Sequence, residues 1–344
     1  MGKISTKEAD KSLPRQTWPE ISYTSKKANK TLPSGTIREY LESFTFTDAA
    51  QGESDTVDLT LCNVDMAWAS KWLPQKEDIL YASIVTQNWD KAGVKNIIEC
   101  GKFCCDDRNF TFPEAGTASV SGVSVPETNA FRATQRNKTW QNITIWEIAN
   151  TIAKRYWMKL SYSAPAIRVT KAEQSDSDDC SFLNSLCNDY GLYMKVYRGK
   201  IAIYDVAAFE KKASVATISY RDIVDGDYSS TLTGTYTGAR IKYTSGKTEK
   251  TLVIGWNKRL LNISEKADTY AEADRKARAK LRAENRKAET LKITLVSGKQ
   301  LWASSVITIK DAAAISGRWF IDKVTHTVSA GDGYSAQLEL HRVK

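Results

Sequence analysis

Alternation of apolar and polar residues, recurring in short runs, most narrows what this chain can fold into. In Thr56-Val-Asp-Leu-Thr-Leu61 the residues Val57, Leu59 and Leu61 fall on one face and Asp58 and Thr60 on the other. That is the period of a half-buried strand and not of a helix. The pattern returns in Ile21-Ser-Tyr-Thr-Ser25 and Ser43-Phe-Thr-Phe-Thr47, with the turn-forming stretch 48–55 (DAAQGESD) before Thr56. Together they predict a hairpin or meander. Apolar runs at 79–85 and 96–103 predict two more strands. Further strands are expected at 216–220, 239–244, 250–254, 291–296, 306–310, 319–328 and 334–342.

Helical spacing is confined to a few places. Trp68, Trp72 and Leu73 predict a short helix stopped by Pro74. Ile145, Ile148, Ala149 and Ile152 form an apolar stripe behind Thr144, a residue type that caps helix starts. A second helix follows Ser177 or Asp178, with Phe182, Leu183, Leu186 and Cys187 on its buried side and Gly191 at its end. Tyr193–Val196 and Lys200–Tyr204 flank Arg198-Gly199, a hairpin signal. A long helix over 267–287 has a thin stripe of Tyr270, Ala273, Ala277 and Leu281, with acids early and bases late, the order that suits its dipole. The Gly/Ser/Thr-rich stretch from Pro113 to Pro126 reads as a boundary or long loop. Residues 1–20 read as a flexible polar arm with no signal peptide, and no stretch approaches a membrane span.

Chemistry is sparse. The 344 residues include two histidines, His326 and His341, both in expected strands without a motif around them. The six cysteines make no C-x-x-C pair, which argues against zinc and a disulfide framework. No nucleophile elbow, H-E-x-x-H or phosphate-binding loop occurs. No catalytic, metal or cofactor residue is assigned, and no cofactor is expected. Two functional readings still compete with a structural role. Glu173 and Asp176 are the least unsuitable carboxylate pair for a wall-degrading hydrolase, although acids before a helix serve as caps. The net charge of +9 and the bases at 275–287 permit nucleic-acid binding, with Arg278, Arg282 and Arg286 otherwise expected at a subunit interface. The 10 Trp and 15 Tyr suit cores and contact surfaces alike.

The segment Gln174-Ser-Asp176-Ser-Asp178-Asp-Cys-Ser-Phe182-Leu183-Asn-Ser-Leu186-Cys-Asn-Asp-Tyr190-Gly191 resembles a pattern of the phage late control D proteins, including the XkdQ type. The helix at 144–153, the alanine-spaced helix at 267–281 and the closing Trp319–His326 and Gly333–Leu338 segments resemble the same family in the same order. The resemblance implies an α+β, mainly β chain of two tube-like β-barrel domains, with an α/β insertion and a long helix on the carboxy-terminal barrel. The expected division is an arm at 1–20, a first barrel at 21–113, the insertion at 114–212 and a second barrel at 213–344. It further implies a homotrimeric baseplate hub of a contractile phage tail or phage-tail-like bacteriocin. Such a hub joins the hexameric tail tube to the trimeric spike and contacts baseplate wedge proteins and tape-measure protein, with DNA passing only in a true phage. Assembly would occur in the bacterial cytoplasm, without membrane anchoring, before incorporation into the particle.

Overall fold

The alternating segments pair into one large sheet in a computed structural model that describes residues 4–25, 30–52, 54–76, 78–89, 91–112, 116–124, 130–197, 199–296 and 298–343. The first third supplies β1 (Ile4–Glu8), β2 (Gln16–Ser25), β3 (Lys30–Leu32), α1 (Ser34–Tyr40), β4 (Leu41–Ala49), β5 (Thr56–Cys62), β6 (Ile79–Gln87), β7 (Val94–Thr111) and β8 (Thr117–Val123). The middle supplies α2 (Ala130–Ala133), β9 (Gln135–Thr144), α3 (Ile145–Arg155), β10 (Lys159–Ser163), β11 (Arg168–Asp178), α4 (Asp179–Asp189), β12 (Leu192–Tyr197), β13 (Lys200–Asp205) and α5 (Val206–Glu210). The last third supplies β14 (Ala216–Ser219), β15 (Ile223–Ser230), β16 (Gly238–Ser245), β17 (Thr248–Gly255), β18 (Leu260–Ala267), α6 (Tyr270–Arg286), β19 (Glu289–Leu295), β20 (Val306–Lys310), β21 (Gly317–Ser329) and β22 (Gly333–Arg342). The class is α+β and mainly β.

Two separate closed barrels are not what the hydrogen bonds build. A single sheet of 14 strands runs β15-β19-β22-β21-β4-β5-β8-β7-β6-β2-β3, with β1 on β7 and β20 joining β21 to β14. The two halves are fused because β21 is long enough to serve both. Its residues 323–329 pair with β4, and its residues 317–320 pair with β20. The sheet curls around two apolar interiors. Phe44, Phe46, Leu59, Leu61, Ile84 and Phe103 fill the first. Leu291, Ile293, Trp319, Ile321 and Leu338 fill the second.

Several local expectations change. Residues 4–8, assigned to an arm, pair in register with Val94–Ile98 of β7, and β2 begins at Gln16 within the same stretch. The short helix on Trp68 and Trp72 is replaced by consecutive turns. Met66 lies at φ +58, and the Asn63 and Asp65 side chains accept the N–H groups of Trp68 (2.9 Å) and Ala67 (3.1 Å), so side chains displace the helical ladder. Within the supposed loop 113–126, Thr117–Val123 is a strand between β5 and β7, with Ala118 and Val120 facing inward. Residues 113–115 and 125–126 of that stretch, residues 1–3 and Arg198 of the hairpin turn lie outside the described residues. The long helix α6 packs on a separate three-stranded sheet, β17-β16-β18, through Ala273 and Ala277 against Ala239 and Ile241.

Candidate functional site

The motif residues converge on α4, and each has a physical task. Asp178 caps the helix: its carboxylate accepts the Ser181 N–H (2.8 Å) and hydroxyl (2.7 Å), a cap that contributes about 1 kcal/mol. Phe182, Leu183 and Leu186 turn inward with Ile145, Ile148 and Ile152 of α3. Asp176 lies on the bulge of β11 at φ +41 and exchanges two 2.8 Å hydrogen bonds with Asn137 of β9. Gln174 is buried, and its amide donates to the Ser177 carbonyl (2.9 Å) and to Asp179 (3.0 Å).

Asp179, the first residue of α4, is a fully buried hub of contacts. Tyr156 donates to it at 2.6 Å, Arg155 contacts it directly, and Arg136 lies 3.2 Å away. Burial works to raise its pKa, but the bonds from Tyr156, Gln174 and Arg155 outweigh burial and hold it lowered. The carboxylate therefore stays charged and ties α3, β9 and α4 together. Glu173 pairs with Lys171 on exposed β11, and Asp176 is occupied by Asn137.

Tyr190 and Gly191 join this unit to α6. The Tyr190 hydroxyl donates to Glu272 (2.6 Å), which also pairs with Lys276 (2.7 Å). Arg275 donates to the Tyr190 carbonyl (2.9 Å) and reaches Asp205 (2.7 Å). Gly191 lies at φ +71, and a Cβ there would come within 3.0 Å of the Ala279 Cβ. The position thus needs glycine for both its backbone and the approach of α6.

The three arginines differ. Arg278 is exposed and pairs with Asp274 one turn earlier (2.9 Å), and Arg282 is half-exposed, 3.8 Å from Glu210. Arg286 is turned inward instead, bonded to Glu210 (2.7 Å) and the Tyr193 hydroxyl (3.0 Å), because α5 lies against this end of α6. Glu210 also meets His341 (3.2 Å), whose other ring nitrogen lies 2.7 Å from Asp322. Burial would lower the His341 pKa, but Asp322 and Glu210 reverse this and raise it. The second histidine, His326, stacks between Phe46 and Tyr334, with Nδ1 3.0 Å from the Tyr334 hydroxyl. Burial pushes it down to about 4.

Sequence reasoning missed a buried ionic cluster. Lys195 of β12 contacts Asp48 at the end of β4 and lies 2.9 Å from Asp55. Asp48 also accepts the Ala303 N–H at 2.9 Å. Burial raises Asp55 to about 7 against the pull of Lys195, with the Asp48 charge adding to the rise. The available signal was a lysine inside the apolar run Leu192-Tyr-Met-Lys-Val196. Beside the cluster lies a cavity of about 320 Å³ reached by Lys200, Tyr204, Lys212 and Trp302. A second, more open cleft of about 690 Å³ runs along β2, β6 and β7 past Tyr81, Glu99 and Lys102 to Gly199. Among the described residues no helix is long and apolar enough to cross a membrane, and no three metal-ligating side chains cluster.

No family model matches the chain. A curated protein described as a probable baseplate hub protein of Escherichia phage P2 is 27% identical over 226 residues, 63% of this chain and 55% of the relative. The chain thus matches about half the length of that relative. Among solved structures, a tail protein from Neisseria meningitidis MC58 has a TM-score of 0.69 at 15% identity, covering 94% of this chain and 96% of that one. An Escherichia coli protein has a TM-score of 0.57 at 12% identity, covering 89% and 74%. It is described as a component of the type VI secretion system with structural similarity to the bacteriophage T4 tail proteins gp27 and gp5. The sequence resemblance stands: the chain is related to phage proteins described as probable baseplate hub proteins and shares the fold of phage tail and type VI secretion components.

Proposed function

We propose that this chain is a baseplate hub subunit of a contractile phage tail or phage-tail-like bacteriocin, a structural protein and not an enzyme. In this reading three copies form a ring that adapts the hexameric tail tube to the trimeric spike, with wedge proteins outside. Tape-measure protein, and DNA in a true phage, would pass through its lumen. The ring would assemble in the bacterial cytoplasm and leave with the particle. The large-sheet strands on either side of the middle region, β1–β8 before it and β14, β15 and β19–β22 after it, would serve as the two halves of the ring wall, and residues 130–212 as the insertion.

The relatedness to a baseplate hub protein over 63% of the chain carries the reading. The fold is compatible with it. A fourteen-stranded sheet with β15 and β3 at its hydrogen-bonded ends leaves edges that protein contacts must cover. The polar residues of the candidate site also bond to one another and lock elements together.

Native mass spectrometry of the chain co-expressed with its spike protein tests the proposal. The expected result is a trimer, alone or bound to a spike trimer. A strictly monomeric chain that ignores both spike and tube would overturn it.

A further inference from the structure

Trp157 follows α3 directly and is 97% exposed, with φ +56. Its neighbours explain the backbone. Tyr156 must turn inward to reach Asp179, and Met158 must turn inward to the insertion core, so the residue between them adopts a left-handed conformation and points out. Glycine would meet that requirement without strain, and asparagine with little. A tryptophan strains the backbone and leaves a large apolar ring in water. Its ring makes no aromatic or cation contact within the described part of the chain.

Lysines flank Trp157 along the chain and in the adjoining strand pair. Lys154 lies in the last turn of α3, and its carbonyl accepts the Trp157 N–H (3.3 Å). Lys159 opens β10 and is the register partner of Lys200 on β13. All three lysines are exposed, and none has an ion-pair partner among the described residues. An isolated knob amid unpaired cations has a complement of definite chemistry.

We infer that Trp157 and the lysines 154, 159 and 200 form a docking knob for another protein of the same particle, one that offers an apolar pocket rimmed by carboxylates. Large aromatic side chains that fill a partner's pocket anchor interfaces, and surrounding charges set orientation and partner choice. Single-stranded nucleic acid fits less well, because stacking platforms present successive rings and this surface presents one. A lipid surface fits less well, because interfacial binding needs a broad apolar face. The inference rests on the hub reading, since it takes the partner from the particle.

The test replaces Trp157 with a benzophenone amino acid in chains co-expressed with the full set of particle proteins. Assembled particles are irradiated, and the cross-linked peptides are sequenced. A cross-link to one particle protein, in a segment bearing carboxylates beside apolar residues, is expected. Cross-links to lipid, to nucleic acid or to a basic segment, or no cross-link, would overturn the docking proposal alone. Absence of the chain from particles would overturn the hub reading and this inference together. In parallel, Trp157→Gly should keep or raise the unfolding midpoint of the isolated chain yet lower particle yield at least tenfold. Lys154→Glu, Lys159→Glu and Lys200→Glu combined should give the same loss. Wild-type yield in either variant, or a glycine variant that unfolds more readily, would contradict a docking role.

Discussion

Acid should weaken the first half of the sheet through one residue, His326. Its imidazole is fully buried between Phe46 (5.9 Å) and Tyr334 (6.1 Å), both rings within 8° of parallel to it. The fold holds it neutral down to about 4, whereas in the unfolded chain it takes a proton near 6.5. The folded pKa is depressed, so below 6.5 the unfolded state binds more protons and stability falls until the pH reaches about 4. At 1.36 kcal/mol for each tenfold change in proton affinity, that separation corresponds to about 3 kcal/mol. Chemical denaturation of the wild type and of His326→Phe, at steps between pH 7.5 and 4, isolates the contribution. Phenylalanine keeps a ring between the two aromatic faces but cannot titrate. The gap between the two proteins should shift by about 3 kcal/mol across this window, in favour of the variant at low pH. Parallel pH curves for the two proteins would refute the assignment.

The second histidine gives the opposite sign. His341 has a raised pKa, so its stabilising contribution is fully present below 6.5 and is lost as pH rises through its folded value; His341→Gln should lose most stability below pH 6, with the difference closing in alkali by the same denaturation assay. Asp178→Ala removes the α4 cap and should cost about 1 kcal/mol in thermal or chemical unfolding. Gly191→Ala places a Cβ 3.0 Å from Ala279 at a positive φ, and should cost about 1–2 kcal/mol and speed amide exchange in α6. Lys195→Met leaves the Asp48 and Asp55 carboxylates buried without their counter-charge, and should destabilise by about 3–5 kcal/mol, or less if Asp55 takes up a proton, which a pH titration of the variant resolves.

The sequence announces most of the ladder because a half-buried strand must alternate. Thr56–Leu61 is legible for that reason, and Ile79–Val85 is legible from its short apolar run. The strands β9, β11 and β15 are not, because their exposed faces are long and polar, as in Gln135–Asn142 and Asp225–Ser230. Nor could periodicity show that β21 is shared between the two halves, since strand pairing at such separation depends on tertiary geometry. The caps at Thr144 and Asp178 were readable, since they depend on neighbours three residues away. The Asp179 contacts were not, since Gln174 lies nearby in sequence while Arg155 and Tyr156 come from a different helix. The charge of Arg286 was visible, but its inward direction depends on Glu210 arriving from α5.

These contacts bear on how the middle region moves relative to the sheet. The Lys195 cluster binds β12 to the ends of β4 and β5, and the Tyr204 hydroxyl donates to the Ala50 carbonyl at 2.7 Å. Tyr190, Gly191 and Arg275 bind α4 to α6, while Glu210 draws together α5, α6 and β22. The three fastenings join the middle region to different elements, β4 and β5, α6, and β22. Each uses charged or hydrogen-bonded groups that are costly to leave unpaired when buried. In the proposed hub, where the subunit would pass contacts from tube to spike, such fastenings would keep a displacement from being dissipated in bending between the middle region and the sheet.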